Sequence, residues 1–449
     1  MTTSPRVAIK TLGCKLNQYE SEQIREDFEA MGFSAVAFDD EAEVYLINSC
    51  TVTHRTDRDA RRLARQARRR SPSAMIIVTG CYAQMQPEVL EALEVVDLIA
   101  PNERKSELAA AAVEWLSSRG ISCTPGEAVR DPERLVSRFP DNTRAFVQVQ
   151  TGCDAECAYC IITKARGPSR SMGPEAAVRQ ARLLAESGHP EVVLVGIHLG
   201  MYGQDLPDKP TLDDLVRMIC AIEPLRRLRL SSIEPREVTR GIVEMVCAGG
   251  SALDGGGEPA CAGKLCRHLH IPLQSGCDAT LGRMGRPYDA AFYRELVERI
   301  AAREPRVSIG ADVLVGFPGE TDQEFAATLD LVRELPLSYL HVFTYSERPG
   351  TRAAEMPDPV NPEVRKQRTH LLRAISEENA RQFAARMVGE RLEVVVETPR
   401  DEAGRLTGIS DNYLRVHLEG PDLPVGSLVA VNVTAAIEGE VSGSLALPR

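Results

Sequence analysis

The stretch TGCDAECAYC, residues 151–160, decides how the chain is read. It sets Cys153, Cys157 and Cys160 in a C-x3-C-x2-C spacing directly after the apolar run AFVQVQ. Three thiolates on one short loop can each take a corner of a four-iron cluster. The fourth iron then has no protein ligand and can hold a small molecule, much as catalytic zinc keeps a position open. A zinc site or three unrelated thiols is the alternative reading, but zinc favours four closed N or S ligands and paired C-x2-C spacing.

The run before the loop is the first of six. Strands are expected at 145–150, 191–196, 227–232, 268–272, 308–315 and 339–344, with helix-period segments between them. That alternation predicts an α/β domain over 139–375, built as a partial (β/α) barrel. Upstream, residues 1–130 repeat a strand–loop–helix unit three times (7–11 with 21–31, 44–48 with 57–70, 75–79 with 87–93) and predict a parallel sheet of their own. The pattern lapses over 118–143, a linker, and 249–264 (GGSALDGGGEPACAGK) reads as a mobile loop insertion. From about residue 385 the texture changes to RLEVVVET, GRLTGIS, YLRVHL, LVAVNVTAAI and GEVSGSL, short strands that predict an all-β barrel over 382–449.

Three further cysteines occupy equivalent places in the upstream sheet. Cys14 follows TLG, Cys50 follows LINS and Cys81 follows VTG. In an open α/β sheet such positions gather outside the carboxyl ends of the strands, beside helix N-termini that favour thiolates. They predict a second metal centre, against the alternative of small core residues at strand ends. Cys261, Cys266 and Cys277 flank His268 and His270, so a zinc site there is conceivable. Cys123, Cys220 and Cys247 read as isolated packing or surface thiols.

Hydrophobic content of 43% and charged content of 26% are those of a globular protein. No apolar run reaches about 18 residues, and the opening MTTSPRVAIK has no apolar signal segment. The expectation is therefore a cytoplasmic protein with no membrane association. Twelve cysteines in a reducing compartment point to metal or redox chemistry rather than a disulfide framework. The net charge of −11 argues against a nonspecific, whole-surface nucleic-acid binder but allows a local basic patch. HRTDRDARRLARQARRRS, 54–71, supplies one. Drawn as a helix, it sets Arg55, Arg58, Arg62, Arg65 and Arg69 on one face and Ala60, Leu63, Ala64 and Ala67 on the other. Arg58, Arg62, Arg65 and Arg69 are the expected contacts to RNA phosphates. Residues 386–449 carry six arginines against ten acids, with Tyr413 as their one aromatic, a poor match to a basic stacking groove.

The cysteine loop, with Tyr159 before its last cysteine, resembles the radical S-adenosylmethionine (SAM) superfamily. The whole chain is similar to the methylthiotransferase family within it. TLGCKLNQYESE, INSCTVTHRTD and VTGCYAQ resemble the family's amino-terminal motifs. CDAECAYCIITKARGPSRS, GIHLGMYG, RLSSIEP, LHIPLQSGCDATLGRMGRPY, ADVLVGFPGET and FTYSERPGT match its central domain, and GISDNYLRVHL resembles the TRAM module, a small RNA-associated β-barrel. IITKARG departs from the proline and aromatic more usual after the last cysteine. TLGCKLNQYESE, GIHLGMYG and HLHIPLQSGCD favour the branch acting on N6-threonylcarbamoyladenosine at tRNA position 37. The branches acting on isopentenyladenosine-37 or on a ribosomal-protein side chain are alternatives, and an RNA-binding iron–sulfur redox protein is an alternative of another class.

The resemblance implies replacement of C2–H of the modified adenine by C2–SCH3. That hydrogen is out of reach of a side-chain base near neutral pH, so a cofactor radical carries the hard step. Two [4Fe–4S] clusters and SAM are implied. Cys153, Cys157 and Cys160 would hold the cluster that makes the radical, and Cys14, Cys50 and Cys81 the one whose sulfur is transferred. Tyr159, Gly196, Ser231, Glu234, Gln274 and Asp312 are expected around SAM, because barrel strand ends gather ligands. His198 is expected to be a satisfied wall residue. The implied partners are the tRNA anticodon loop, whose unstacked bases can be splayed out, an electron donor such as flavodoxin or ferredoxin, and a sulfur source; a monomer is expected.

Overall fold

Two strands, VYLINS at Val44–Ser49 and MIIVTG at Met75–Gly80, are buried at every residue in the computed structural model of the chain. Strands covered on both faces read as unbroken apolar runs, as in a parallel sheet between two helix layers. Residues 4–121, 123, 134–248, 261, 263–400 and 404–446 are described. Most of the insertion expected at 249–264 and part of the linker at 118–143 lie outside them. The chain divides into one unit of Met1–Ser137, Thr151–Asp154 and Ile161–Pro168, and a second of Arg138–Gln150, Ala155–Cys160 and Ser169–Arg449.

In the first unit, β1 (Arg6–Thr11), β2 (Ser34–Val36), β3 (Val44–Ser49), β4 (Met75–Gly80) and β5 (Leu98–Ala100) form a parallel sheet in the order β2-β1-β3-β4-β5. Alternate residues face opposite layers. Val44, Leu46, Met75 and Ile77 pack with Ile24 and Phe28 of helix α1 (Lys15–Ala30) and with the helix Leu108–Ser117. Tyr45, Ile47, Ile76 and Val78 pack with Ala60, Leu63, Ala64 and Ala67 of helix α2 (His54–Arg70). The order reverses direction between β1 and β3, and ligands of such sheets sit at that switch point. The edge strands β2 and β5 were not legible beforehand, since three residues are too few to show a period of two.

In the second unit, β6 (Arg144–Gln148), then β9 (Glu191–Val195) and β10 (Arg227–Leu230), form one parallel sheet; the two-residue strands β7 (Gln150–Thr151) and β8 (Arg170–Ser171) intervene in sequence. β11 (His268–His270), β12 (Ser308–Val315) and β13 (Tyr339–Thr344) form another. Leu228 joins them, donating to Lys264 O at 2.7 Å and accepting from Cys266 N at 2.8 Å. The result is the expected partial barrel of six strands in chain order, with helices between them.

The carboxy-terminal strands β14 (Arg391–Thr398), β15 (Leu406–Ser410), β16 (Arg415–Glu419), β17 (Leu428–Ile437) and β18 (Glu440–Leu445) close into a barrel, β14-β15-β16-β18-β17. Phe383, Ala384 and Met387 from the preceding chain complete its core. A buried charge network seats it on the larger domain. Arg229 donates to Glu191 Oε1 at 2.7 Å and to the carbonyls of Ser410 and Asp411 at 3.0 Å each, and Arg267 Nε donates to Asp411 Oδ2 at 2.7 Å. Burial alone would raise the Glu191 carboxyl; Arg229 and Arg227 overcome it and hold it well below the usual range. The barrel's one aromatic joins this seat: the Tyr413 ring lies 4.5 Å from that of His268 and 5.0 Å from the Arg229 guanidinium carbon.

Candidate functional site

Cys14, Cys50 and Cys81 follow β1, β3 and β4, three adjacent strands, at the switch point of the sheet. Cys14 caps α1 with extended backbone, and Cys81 opens the short helix α3 (Cys81–Met85). The glycines before them set the turns. Gly13 sits at φ +94°, and a Cβ there would lie 2.5 Å from Cys50 Cβ. Gly80 sits at φ +96°, and a Cβ there would lie 2.3 Å from the Ser49 carbonyl oxygen. Only a residue without a side chain permits both the left-handed turn and the close approach.

Asn17 ties this corner together. Its Nδ2 donates to Leu12 O at 2.8 Å and Ser49 O at 3.1 Å, the ends of two strands, while its Oδ1 accepts from Arg166 Nη2 at 2.6 Å. Arg166 also donates to Glu20 Oε1 at 2.7 Å and Thr151 Oγ1 at 3.4 Å, and Lys105 reaches Glu20 Oε2 at 2.5 Å. Burial opposes ionisation of Glu20, yet Lys105 and Arg166 bring its carboxyl down to about 2.

The three thiols are electrostatic neighbours. Burial pushes Cys50 up to about 12, reinforced by Cys14 and Cys81 and opposed by the Val52 N–H and Arg166. Cys14 is open to solvent but has protein packed around it, which raises its thiol too, with Arg166 pulling the other way. Thiols in this setting become good ligands when a cationic centre replaces their protons. Three thiols at the ends of three adjacent strands are the donor type that holds an iron–sulfur cluster, so the residues fit that group.

On the cysteine loop, Cys153 is held in the first unit by its N–H on Gly167 O at 3.1 Å. Cys157 and Cys160 lie in the second unit. There Cys160 N donates to Cys157 O at 3.1 Å, and Ala158 is pinned on both sides, to Met284 O at 2.9 Å and from Ala353 N at 2.8 Å. Arg286 donates from Nη1 to Cys157 Sγ at 3.0 Å and from Nε to Tyr288 Oη at 3.2 Å, and it pairs with Glu234. A guanidinium donor beside Cys157 Sγ suits a sulfur that carries negative charge, as cluster-binding cysteines do. Tyr159 packs edge-on to Phe317, with ring centroids 6.5 Å apart, and burial pushes its hydroxyl well above the usual range.

The other expected pocket residues follow strand ends, with one exception. Gly196 follows β9, and a Cβ there would crowd Gln150 Oε1 at 3.0 Å. Ser231 follows β10 with a buried Oγ that has no hydrogen-bond partner among the described residues. Glu234 is tied to Arg286. Gln274 holds an unusual φ of +66°, donating to Asp312 O at 2.8 Å. Asp312 lies inside β12, not at its end. Its Oδ1 stands 2.8 Å from His270 Nε2 and 3.4 Å from His341 Nδ1, which overcome burial and hold its carboxyl low. His198 is satisfied by Glu237 at 2.7 Å, as expected.

One expectation about the remaining cysteines changes. Cys220 is not isolated: it is buried in thiol–thiol contact with Cys261 and near Cys266, because the helix Leu212–Cys220 ends beside Cys261. His268 and His270 do not turn toward those thiols but toward Tyr339 Oη, at 2.8 and 3.1 Å. On α2, the arginines of the expected row (Arg55, Arg58, Arg62, Arg65, Arg69) are all exposed. Arg61, Arg68 and Arg70 instead fix the helix, to Tyr82 Oη at 2.5 Å, Asp97 Oδ2 at 2.5 Å and Phe38 O at 2.6 Å. Asn17, Glu20, Lys105, Arg166 and Arg286 went unread because nothing local marks a residue whose partner is remote in sequence.

Comparison with known proteins bears on both frames. Residues 6–101 match the family model described as Uncharacterized protein family UPF0004, and residues 147–332 match that of the Radical SAM superfamily. The chain is 37% identical to threonylcarbamoyladenosine tRNA methylthiotransferase MtaB of Bacillus subtilis (strain 168), over 96% of this chain and 94% of that one. It is 34% identical to tRNA-2-methylthio-N(6)-dimethylallyladenosine synthase of Cereibacter sphaeroides (strain ATCC 17023), over 99% of each. The radical S-adenosylmethionine methyltransferase TsrM from Kitasatospora setae, solved with cobalamin and a [4Fe–4S] cluster, is similar in fold, with TM-score 0.55, 15% identity, and 78% of this chain and 77% of that one covered.

Proposed function

The chain belongs to the tRNA methylthiotransferases of the radical SAM superfamily, and from that footing we propose that it methylthiolates C2 of N6-threonylcarbamoyladenosine at position 37 of tRNA. The pairing of two thiol triads in one chain, one on a loop and one at a sheet switch point, supports the methylthiolation, and the 34–37% identity to threonylcarbamoyladenosine enzymes supports the substrate. Cys153, Cys157 and Cys160 are assigned to one [4Fe–4S] cluster, and Cys14, Cys50 and Cys81 to a second. Cys153, Cys157 and Cys160 would hold a cluster that supplies an electron for radical chemistry with SAM, and Cys14, Cys50 and Cys81 one that supplies sulfur.

The chain's own residues frame that chemistry. Tyr159, Gly196, Ser231, Glu234 and Gln274 are assigned to the SAM pocket, with Asp312 as a residue that orients its histidine neighbours. Arg58, Arg62, Arg65 and Arg69 present an exposed cationic row to the phosphates of the anticodon arm. We read 1–130 as the sulfur-donating domain, 139–375 as the radical domain and 382–449 as an RNA-associated barrel. That last assignment rests on likeness, since Tyr413 is taken up in the barrel's seat. A tRNA substrate implies the cytoplasm, and the chemistry requires a low-potential electron donor of the flavodoxin or ferredoxin type and a sulfur source. A monomer suffices for these roles.

Mass spectrometry of tRNA nucleosides from cells with and without the gene tests the proposal. Loss of the 2-methylthio form of threonylcarbamoyladenosine on deletion, restored by the intact gene and less fully by an Arg58→Ala/Arg65→Ala copy, is expected. If that nucleoside persists and the dimethylallyl form disappears instead, the substrate is wrong.

A further inference from the structure

The last strand of the partial barrel carries a surface that the chemistry above does not use. Among the described strands, β13 pairs with β12 alone. Its residues alternate in direction, so Tyr339, His341 and Phe343 share one face. In register, Gly310 meets Tyr339, Asp312 meets His341 and Leu314 meets Phe343. That face therefore continues the face of β12 that carries Asp312, and of β11 that carries His270.

The face opens step by step along the strand. Tyr339 lies over Gly310, where a Cβ would come within 2.1 Å of its ring, and bonds to both His268 and His270. One step on, the His341 side chain is 56% exposed while its Nδ1 stands 3.4 Å from Asp312 Oδ1. One step further, Phe343 is 40% exposed, a large aromatic left in the open at the carboxyl end of a barrel strand. Leu314, its neighbour in register, packs with Ala158, Phe317 and Tyr159, the segment between Cys157 and Cys160. The open aromatic thus stands one strand away from the residues that frame the cysteine loop.

We propose that this face is the base-reading subsite: Phe343 stacks on the extruded adenine, and His341, held by Asp312, reads the carboxylate of its threonylcarbamoyl group. The inference rests on the substrate assigned above and deepens it. Loop bases are recognised by stacking on exposed aromatics, because every base has a π-face and an unstacked one seeks a partner. The threonylcarbamoyl group differs from a dimethylallyl group in ending on an anion. An apolar substituent would gain nothing from an imidazole backed by a carboxylate. With Nδ1 engaged by Asp312, Nε2 is the ring nitrogen left to meet a ligand, and a carboxylate there accepts a charge-assisted bond. A site built for such a bond discriminates strongly against a substrate lacking the group, because the polar atoms are then left unpaired. His270, Asp312 and His341 are also near enough to share one metal ion, which makes chelation an informative arm of the test.

The experiment uses the holoenzyme with both clusters and a SAM analogue. Binding is measured by fluorescence anisotropy to two anticodon stem–loops, one with threonylcarbamoyladenosine and one with plain adenosine at the target position. Wild type is expected to prefer the modified loop by about tenfold or more. His341→Ala and the gentler His341→Gln erase the preference by weakening the modified loop alone. Asp312→Asn, a change at a positioning residue, reduces the preference without altering binding of plain adenosine. Phe343→Ala weakens both loops by about tenfold and Phe343→Tyr restores them. Bound iron is checked in each variant. Retention of the preference in both His341 variants overturns the proposal, and so does its loss on treating wild type with EDTA, which would assign the reading to a metal ion. If wild type fails to methylthiolate threonylcarbamoyladenosine tRNA at all, the assigned substrate is at fault; if it does so and His341→Gln keeps the preference, only the subsite is wrong.

Discussion

The two thiol triads are assembled in opposite ways. Cys153, Cys157 and Cys160 are neighbours in the chain, on one loop. Cys14, Cys50 and Cys81 come from three successive βα turns and meet only because β1, β3 and β4 are adjacent and parallel. The first set is a property of a segment, the second of a folded sheet. A segment can present its thiols before the domain is complete, whereas a sheet must be complete first, and then holds its ligands more firmly. The supporting residues differ accordingly: Gly13, Gly80, Asn17 and Arg166 around the sheet triad are packed and bonded into the scaffold, while on the loop Arg286 donates to the Cys157 sulfur itself.

The largest test separates the two by function. Cys157→Ala is expected to abolish release of 5′-deoxyadenosine and to lose about half of the bound iron. Cys14→Ala is expected to lose about as much iron and yet keep SAM cleavage measurable. Iron analysis and anaerobic single-turnover assays read both. Full iron in the Cys14 variant would remove that residue from the ligand set, and equal loss of cleavage in both variants would erase the proposed division of labour.

The next test addresses the claim that the sheet triad depends on its scaffold. The Arg166 side chain is 2% exposed and Glu20 is 11% exposed. Arg166→Leu leaves Glu20 buried with Lys105 alone and Asn17 Oδ1 without its guanidinium, a loss of about 3–5 kcal/mol. Trp115, the chain's one tryptophan, lies in the first unit in the helix Leu108–Ser117, so its emission follows that unit in denaturant. The same pair predicts an acid transition. The Glu20 carboxyl is lowered from 4.5 to about 2 in the fold. A lowered carboxylate stabilises fully above its unfolded pKa, and that contribution, about 3 kcal/mol, is lost as pH falls from near 4.5 toward 2. In Arg166→Leu the lost increment should be smaller. An identical acid profile in the two proteins would show that another group controls it.

The same contrast explains what could be read in advance. The loop triad was legible because its signal is local, the five small-barrel strands because each is long enough to show its period, and the six strands of the larger barrel because apolar runs alternate there with helix-period segments. The sheet triad was legible as a repeated position, strand then cysteine then helix, although its convergence needed the parallel order of the strands. What stayed hidden was everything set by remote pairing. Arg166 bonds to Asn17, 149 residues away, and Lys105 to Glu20, 85 away. Cys220 looked solitary until Cys261 was placed beside it, and nothing local showed that the Tyr413 ring lies against His268 and Arg229. His341 carried no signal as a lone histidine in a strand; only its register opposite Asp312 gives it one.

The smallest expected effect sharpens the comparison at the sulfurs. Each triad has one buried arginine, but the two act differently. Arg286 Nη1 stands 3.0 Å from Cys157 Sγ, whereas Arg166 bonds to Asn17, Glu20 and Thr151 and acts on Cys14 and Cys50 through space. A charged donor on a ligand sulfur favours the reduced, more electron-rich cluster. Arg286→Gln keeps a donor but removes the charge, and it leaves the Glu234 carboxylate uncompensated nearby. Both changes lower the midpoint potential of the loop cluster, by on the order of tens of millivolts. Arg166→Gln should move the sheet cluster less, since Glu20 already balances that guanidinium. A redox titration followed by electron paramagnetic resonance on each holoenzyme variant measures the two shifts. No shift in the Arg286 variant, or a larger one in the Arg166 variant, would mean that the loop's arginine is structural and that the two thiol sets are tuned alike.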